Sequence, residues 1–141
     1  MNSASAATET RSVIVEREIA CPPEKLWRAL TQPHLIEEWL MKNDFQPIVG
    51  HGFNFRADWG SVDCKVLEVE PSKTLSYTWG AYGLESVVTW TLTPTSGGTH
   101  LRMEQSGFRS DQKQAYHGAR AGWQRFLDAL EGVVAKEEKR A

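Results

Sequence analysis

Chemistry in this chain would have to come from its histidines, its cysteines and a few carboxylates, and their spacing can be tested directly. His34, His51, His100 and His117 form no HxH or HExxH pattern. A zinc site needs three or four converging ligands, and His34 and His117 fall on helical segments far apart in sequence. No metal and no other cofactor is expected. Cys21 and Cys64 stand singly, so neither a CxxC pair nor a disulfide framework is present. Cys64 alternates with Val62 and Val66, the pattern of a buried, unreactive thiol. No serine sits in a G-x-S-x-G elbow. Gly50-His51-Gly52 joins two strands rather than a strand and a helix, so it reads as a turn and not as a phosphate loop. Asp58, Asp63 and Glu85 could do acid–base work only by converging. Alternation puts Asp58 opposite Phe55 and Trp59, hence outside, and leaves the facing of Asp63 and Glu85 open. No catalytic residue is assigned.

The aromatic residues carry more information. The chain has six Trp, five Phe and three Tyr. Phe55, Trp59, Tyr77, Trp79, Trp90 and Met103 lie on the apolar faces of alternating runs, Trp39 on a short helix and Trp123 on the stripe of a long one. Such rings suit a packed core and an aromatic-lined cavity equally well. Gly118 and Gly122, one turn apart, each weaken a helix by about 1 kcal/mol relative to Ala. A close helix–sheet approach or an open ligand entrance would explain them. Two polar residues interrupt apolar faces: Arg17 between Val15 and Ile19, and Gln105 beyond Leu101 and Met103. If their strands are neighbours, the pair would form the polar end of a pocket. The ligand-binding candidates are therefore Arg17, Trp39, Phe55, Trp59, Tyr77, Trp79, Trp90, Met103, Gln105, Gly118, Gly122 and Trp123.

These side chains must be positioned by a sheet and a long helix. Residues 1–11 lack periodicity and read as a flexible tail ahead of a single domain over 12–141. Ser12 to Ile19 alternates as a strand. Glu24–Leu30 and His34–Met41 are short helices broken by Thr31-Gln32-Pro33. Strands follow over Asp44–Val49, Phe53–Trp59, Val62–Val69, Leu75–Trp79, Val88–Thr93 and His100–Gln105, with hairpin turns between. From Asp111 to Lys139, Tyr116, Ala119, Trp123, Leu127, Leu130 and Val134 recur at steps of three and four, an amphipathic helix of roughly 40 Å. Sequential hairpins imply an antiparallel sheet, and one-sided apolar faces imply a cover on one side. The fold class is α+β: a curved antiparallel sheet of about seven strands around a long C-terminal helix, with two short helices after the first strand.

The residues also carry a family resemblance. Pro22 through Thr31, Pro33 through Trp39, Asn43-Asp44-Phe45 and Val66 through Pro71 match it. So do Leu75-Ser76-Tyr77 with Trp79, Val88 through Pro94, Gly97-Gly98-Thr99, Ser106-Gly107-Phe108, and Gly122-Trp123 with Leu127 and Leu130. In order and spacing they resemble the bacterial activator-of-Hsp90-ATPase-like (AHSA1-like) proteins of the START/Bet v 1-like (SRPBCC) superfamily. Gln105 departs from the family pattern, which often has His before Ser-Gly-Phe. The resemblance implies the helix-grip fold, with a cavity between sheet and helix in which relatives bind lipids, polyketides or other apolar molecules. It does not bring an Hsp90-type partner with it, because the co-chaperone's separate N-terminal domain has no counterpart in this chain.

Composition narrows the partners. The net charge of −2 gives no reason to invoke nucleic acid. No apolar run reaches membrane-span length, and no signal peptide opens the chain, so a cytoplasmic setting is expected. Three functions fit: a binding module for an apolar or aromatic small molecule, a cyclase- or hydrolase-like enzyme on a polyketide-like substrate, and a co-chaperone-type interaction domain. The first fits best. Oligomeric state, a homodimer included, is left open.

Overall fold

The computed structural model describes residues 10–140, with side chains through Glu137. Ten elements follow one another: β1 (Thr10–Ile19), α1 (Pro23–Thr31), α2 (Pro33–Trp39), β2 (Lys42–Asn43), β3 (Gly52–Ala57), β4 (Gly60–Glu70), β5 (Thr74–Ala81), β6 (Leu84–Thr95), β7 (Gly98–Arg109) and α3 (Lys113–Arg140). The strands form one seven-stranded sheet in the order β1-β7-β6-β5-β4-β3-β2, antiparallel throughout. Of the expected N-terminal tail, residues 1–9 lie outside the described residues, while Thr10 and Arg11 belong to β1.

Local chemistry explains the two short helices. Each opens on a proline, Pro23 or Pro33, whose missing N–H would be unpaired there in any case. Gln32, held extended ahead of Pro33, separates them. Their apolar faces bury Leu26, Leu30, Leu35, Ile36 and Trp39.

One expected strand is absent. The sheet takes only Lys42–Asn43, and the run from Asp44 to Val49 is irregular. Side chains compete with the ladder here. Asn43 accepts the N–H of Phe45 and donates to the carbonyls of Pro33 and Met41, while Asp44 accepts the N–H of Asn54. Pro47 lacks a donor, and Ile48 and Val49 are left exposed.

The helix stripe follows its period. Trp123, Leu127, Leu130, Val133 and Val134 are buried against the sheet and the short helices, with Tyr116, Ala119 and Phe126 partly buried. On β7 the alternation slips at Gly107, whose φ is +113°. Opposite it the β1 register shifts between Arg11 and Ser12. This bulge lets Gln105 and Phe108, three positions apart, both face inward. A Cβ at Gly107 would lie 2.7 Å from the Glu85 carbonyl, so the bulge requires glycine. No described helix is long and apolar enough to cross a membrane.

Candidate functional site

The space between sheet and helix is occupied by rings packed edge-on or tilted against one another. Trp39 meets Trp90 edge-on at 5.6 Å, Trp90 meets Trp123 at 5.6 Å, and Trp123 meets Trp79 at 5.3 Å. Phe55 continues the column from Trp79 at 5.3 Å, and Tyr77 lies 5.9 Å from Phe55. Met103 is fully buried in the same core. Three of the indoles donate to buried acceptors: Trp39 to the Ala29 carbonyl, Trp90 to the Tyr77 hydroxyl and Trp123 to Gln105 Oε1. Gln105 donates in turn to Ser86 Oγ at 2.9 Å, and Ser86 to the Trp79 carbonyl at 2.8 Å. Gln105 is thus the polar joint of an otherwise apolar interior.

Arg17 does not join it. Both residues face inward, but Arg17 lies opposite Leu101 and Gln105 opposite Val13, about 13 Å apart along the strands. The Arg17 guanidinium reaches Asp128 at 2.9 Å, Glu131 at 2.7 Å and Gln124 Oε1 at 2.7 Å, all on α3. It latches the helix to the edge strand instead of forming a polar pocket end with Gln105.

Trp59 is also placed differently from its expected position. Strand β3 ends at Ala57, so alternation stops before Trp59, which lies in the β3–β4 turn and is 54% exposed. Its ring lies 6.0 Å from that of Tyr82, and the Tyr82 hydroxyl donates to the Trp59 carbonyl at 2.6 Å. Gly118 and Gly122 do not mark a close helix–sheet approach. A Cβ at Gly118 meets nothing within 4 Å, and one at Gly122 meets only Arg125 and Phe126 of its own helix, at 4.0 Å.

The other chemical candidates form no reactive cluster, although Asp63 and Glu85 line one outer pocket of about 510 Å³. Burial pushes the Cys64 thiol up, away from the reactive thiolate. Burial also pushes the Tyr77 phenol up, against the opposing effect of the Trp90 hydrogen bond. Asp63 and Glu85 are exposed and flank Gly80 across three strands. They stand on the outer face, two strand spacings or about 10 Å apart. His100 lies between Glu16 and Glu18 at 2.7 Å each, and those contacts, Glu16 first, push its pKa up. No group of three potential metal ligands converges among the described residues.

Open space occurs at one end of the ring column. A cleft of about 560 Å³ lies between the β3–β4 turn, the β5–β6 turn and the first turn of α3. Trp59, Ala81, Tyr82 and Leu84 form its apolar wall, with Ser110 through Ala115 opposite. Tyr82 and Gly83 are the two loop residues between β5 and β6, with φ of 51° and 82°. Both positions call for a left-handed backbone, which a tyrosine adopts at a cost of about 1–2 kcal/mol. Its bond to the Trp59 carbonyl offsets part of that strain. Gly60 leaves the room for it, since a Cβ there would sit 2.5 Å from the Tyr82 hydroxyl. Gln112 Nε2 ties α3 to the Gly83 carbonyl at 3.2 Å. Alternation could not find Tyr82, because it belongs to no strand face. The signal was a bulky aromatic in a two-residue hairpin loop beside a glycine.

Comparison with known proteins agrees with this architecture. Residues 20–135 match the model of the family described as "Activator of Hsp90 ATPase homolog 1-like protein". No curated protein matches the sequence. Among solved structures, protein MLL2253 from Mesorhizobium loti is similar at 65% identity, over 89% of this chain and 98% of that one, with a TM-score of 0.88. CalU16 from Micromonospora echinospora is similar at 26% identity, over 94% of this chain and 81% of that one, with a TM-score of 0.79. DynU16, from the dynemicin biosynthetic locus, shares the fold at 24% identity and a TM-score of 0.81, over 88% of this chain and 47% of that one. With the curved sheet gripping α3 and the family pattern running almost end to end, the chain belongs to the activator-of-Hsp90-ATPase-homolog-1-like family and has the Bet v 1-like helix-grip fold.

Proposed function

We propose that this protein is a small-molecule-binding module that takes an apolar or aromatic ligand at the mouth of its fold. The observation that carries this reading is the cleft walled by Trp59, Tyr82, Ala81 and Leu84, about 560 Å³ in volume and within the usual range for small-ligand pockets. The two rings beside it are exposed, Trp59 by 54% and Tyr82 by 81%. Solvent-exposed rings held together by strained backbone are better explained by a ligand that covers them than by folding. The Trp39–Trp90–Trp123–Trp79 column occupies the space between sheet and helix, which supports a ligand site at the rim. No residue supports an enzymatic reading as strongly, since the Cys64 thiol and the Tyr77 phenol are both held in their protonated forms.

Titration with a flavone-type, a naphthalene-type and a fatty-acid probe tests the proposal. At least one should raise the melting temperature saturably through linkage, and quench tryptophan fluorescence. Replacing Trp59→Ala should weaken that probe by about tenfold, the loss of one aromatic contact face, with little change in unliganded stability. If no probe shifts the melting temperature, or W59A binds as tightly as the parent, the mouth is not the site.

A further inference from the structure

A second region departs from what folding alone would select. The helix macrodipole favours acids near a helix N-terminus and bases near its C-terminus. The first half of α3 departs from this: its first turn holds Lys113 and no acid, and residues 113–125 carry Lys113, Arg120 and Arg125 with no acid, whereas the second half is mixed in sign. The first half also contains Gly118 and Gly122, which no packing requires. Local rules broken together in one half of one helix mark a place selected for something other than stability.

The cations there converge with others from the edge strand. Arg11 of β1 lies over the Tyr116 ring at 5.5 Å, and Arg120 of α3 lies 6.0 Å from the same ring. Neither guanidinium has a carboxylate partner among the described residues. Arg11, Arg109, Ser110 and Lys113 line a recess of about 50 Å³ against Tyr116 and Phe108, room for roughly three to five water-sized groups. Asp111 pairs with Arg109 at 3.2 Å, and no ion pair of Arg11, Lys113 or Arg120 occurs among the described residues. Tyr116 also walls a second, larger space, a groove of about 610 Å³ between β1 and α3. The half-exposed Ile14 and the exposed Ala121 give that groove an apolar patch, while Val13 and Val15 are buried and His117, Arg120 and Gln124 make much of the remaining lining polar.

We propose that Arg11, Tyr116 and Arg120, with Lys113 and Arg109 beside them, form a binding site for a phosphate-type dianion whose carbon chain lies in the β1–α3 groove. Guanidinium forks match phosphate oxygens in geometry as well as in charge. The recess seats the head, and the patch of Ile14 and Ala121 lies in the groove on the other side of Tyr116, which lines both spaces. A phosphate monoester and a phospholipid headgroup share this chemistry. The recess adjoins the mouth cleft through Ser110 and Lys113, but Arg11, Tyr116 and Arg120 line no part of that cleft, and the proposal does not rest on ligand binding there.

The test uses the intact protein with monomeric dodecyl phosphate, inorganic phosphate, and vesicles of phosphatidylcholine alone or with phosphatidic acid or phosphatidylserine. Dodecyl phosphate should bind saturably and more tightly than inorganic phosphate. Arg11→Gln and Arg120→Gln should each weaken it about tenfold or more, the loss of a charge-assisted contact. Arg28→Gln, which removes an exposed cation on α1, should leave it unchanged. Co-sedimentation with phosphatidic acid vesicles that is lost in R11Q and R120Q also supports the site and assigns the headgroup as the source. Equal weakening by R28Q, or equal binding to phosphatidylserine vesicles, would reduce the effect to general charge and overturn the proposal. Absence of binding to every probe overturns it as well.

Discussion

Gln105 shows what a single residue can disclose before a structure is known. A polar side chain on an apolar strand face requires a buried partner, and that much was legible. The partners were not, because Trp123 is 18 residues away on another element and Ser86 is 19 away. Replacing Gln105→Leu strands the Trp123 indole donor in the core, while Ser86 loses an incoming donor and keeps its bond to the Trp79 carbonyl. We expect a loss of about 1–3 kcal/mol, measured by urea denaturation, and no change in ligand affinity at the mouth. A mutant within about 0.5 kcal/mol of the parent would mean that the network reforms without the amide. His100 gives a residue-scale test of electrostatics. Two carboxylates raise its pKa in the folded state, so its stabilisation is fully present below the unfolded value of about 6.5 and fades as pH rises through the folded value. Wild type should lose stability over that window, and His100→Gln should show a flatter profile.

At the scale of elements, periodicity located all three helices and the strands β1 and β3 to β7, because each buries one face. It failed over Asp44–Val49. There the apolar residues are real, but Asn43 and Asp44 divert the backbone bonds a strand would need. It failed again at Trp59, where a turn interrupts alternation that composition alone would continue. The two helix glycines suggest a further experiment. Gly118 is exposed and open, so Gly118→Ala should stabilise the fold by about 0.5–1 kcal/mol, the helix-propensity difference alone. A destabilised G118A would reveal a contact that this geometry lacks. Arg17 acts between elements, joining β1 to α3 through Asp128 and Glu131, whose side chains are 71% and 41% exposed. Solvent screening at such partners limits the expected loss on Arg17→Ala to roughly 1 kcal/mol.

Across the whole molecule, the question is why a fold that can enclose a cavity is filled here. The answer lies in volume. Trp39, Trp79, Trp90 and Trp123 place four indoles in one contiguous column between sheet and helix, and close-packed interiors leave little room beside such rings. The sequence showed the rings but not the spacing between sheet and helix, so core and pocket were equally legible in it. Removing one ring separates the two. Trp123 contacts both Trp79 and Trp90 and is 2% exposed, so Trp123→Ala should cost about 3–5 kcal/mol. It should also open an apolar void beside Trp79 and Trp90, and such voids stay dry and admit benzene-sized guests. Benzene or xenon should therefore stabilise W123A and not the parent, while probes of the mouth cleft bind both alike. If the parent takes benzene as well as the mutant does, the interior is a working cavity, and the ligand site extends inward from the Trp59–Tyr82 rim.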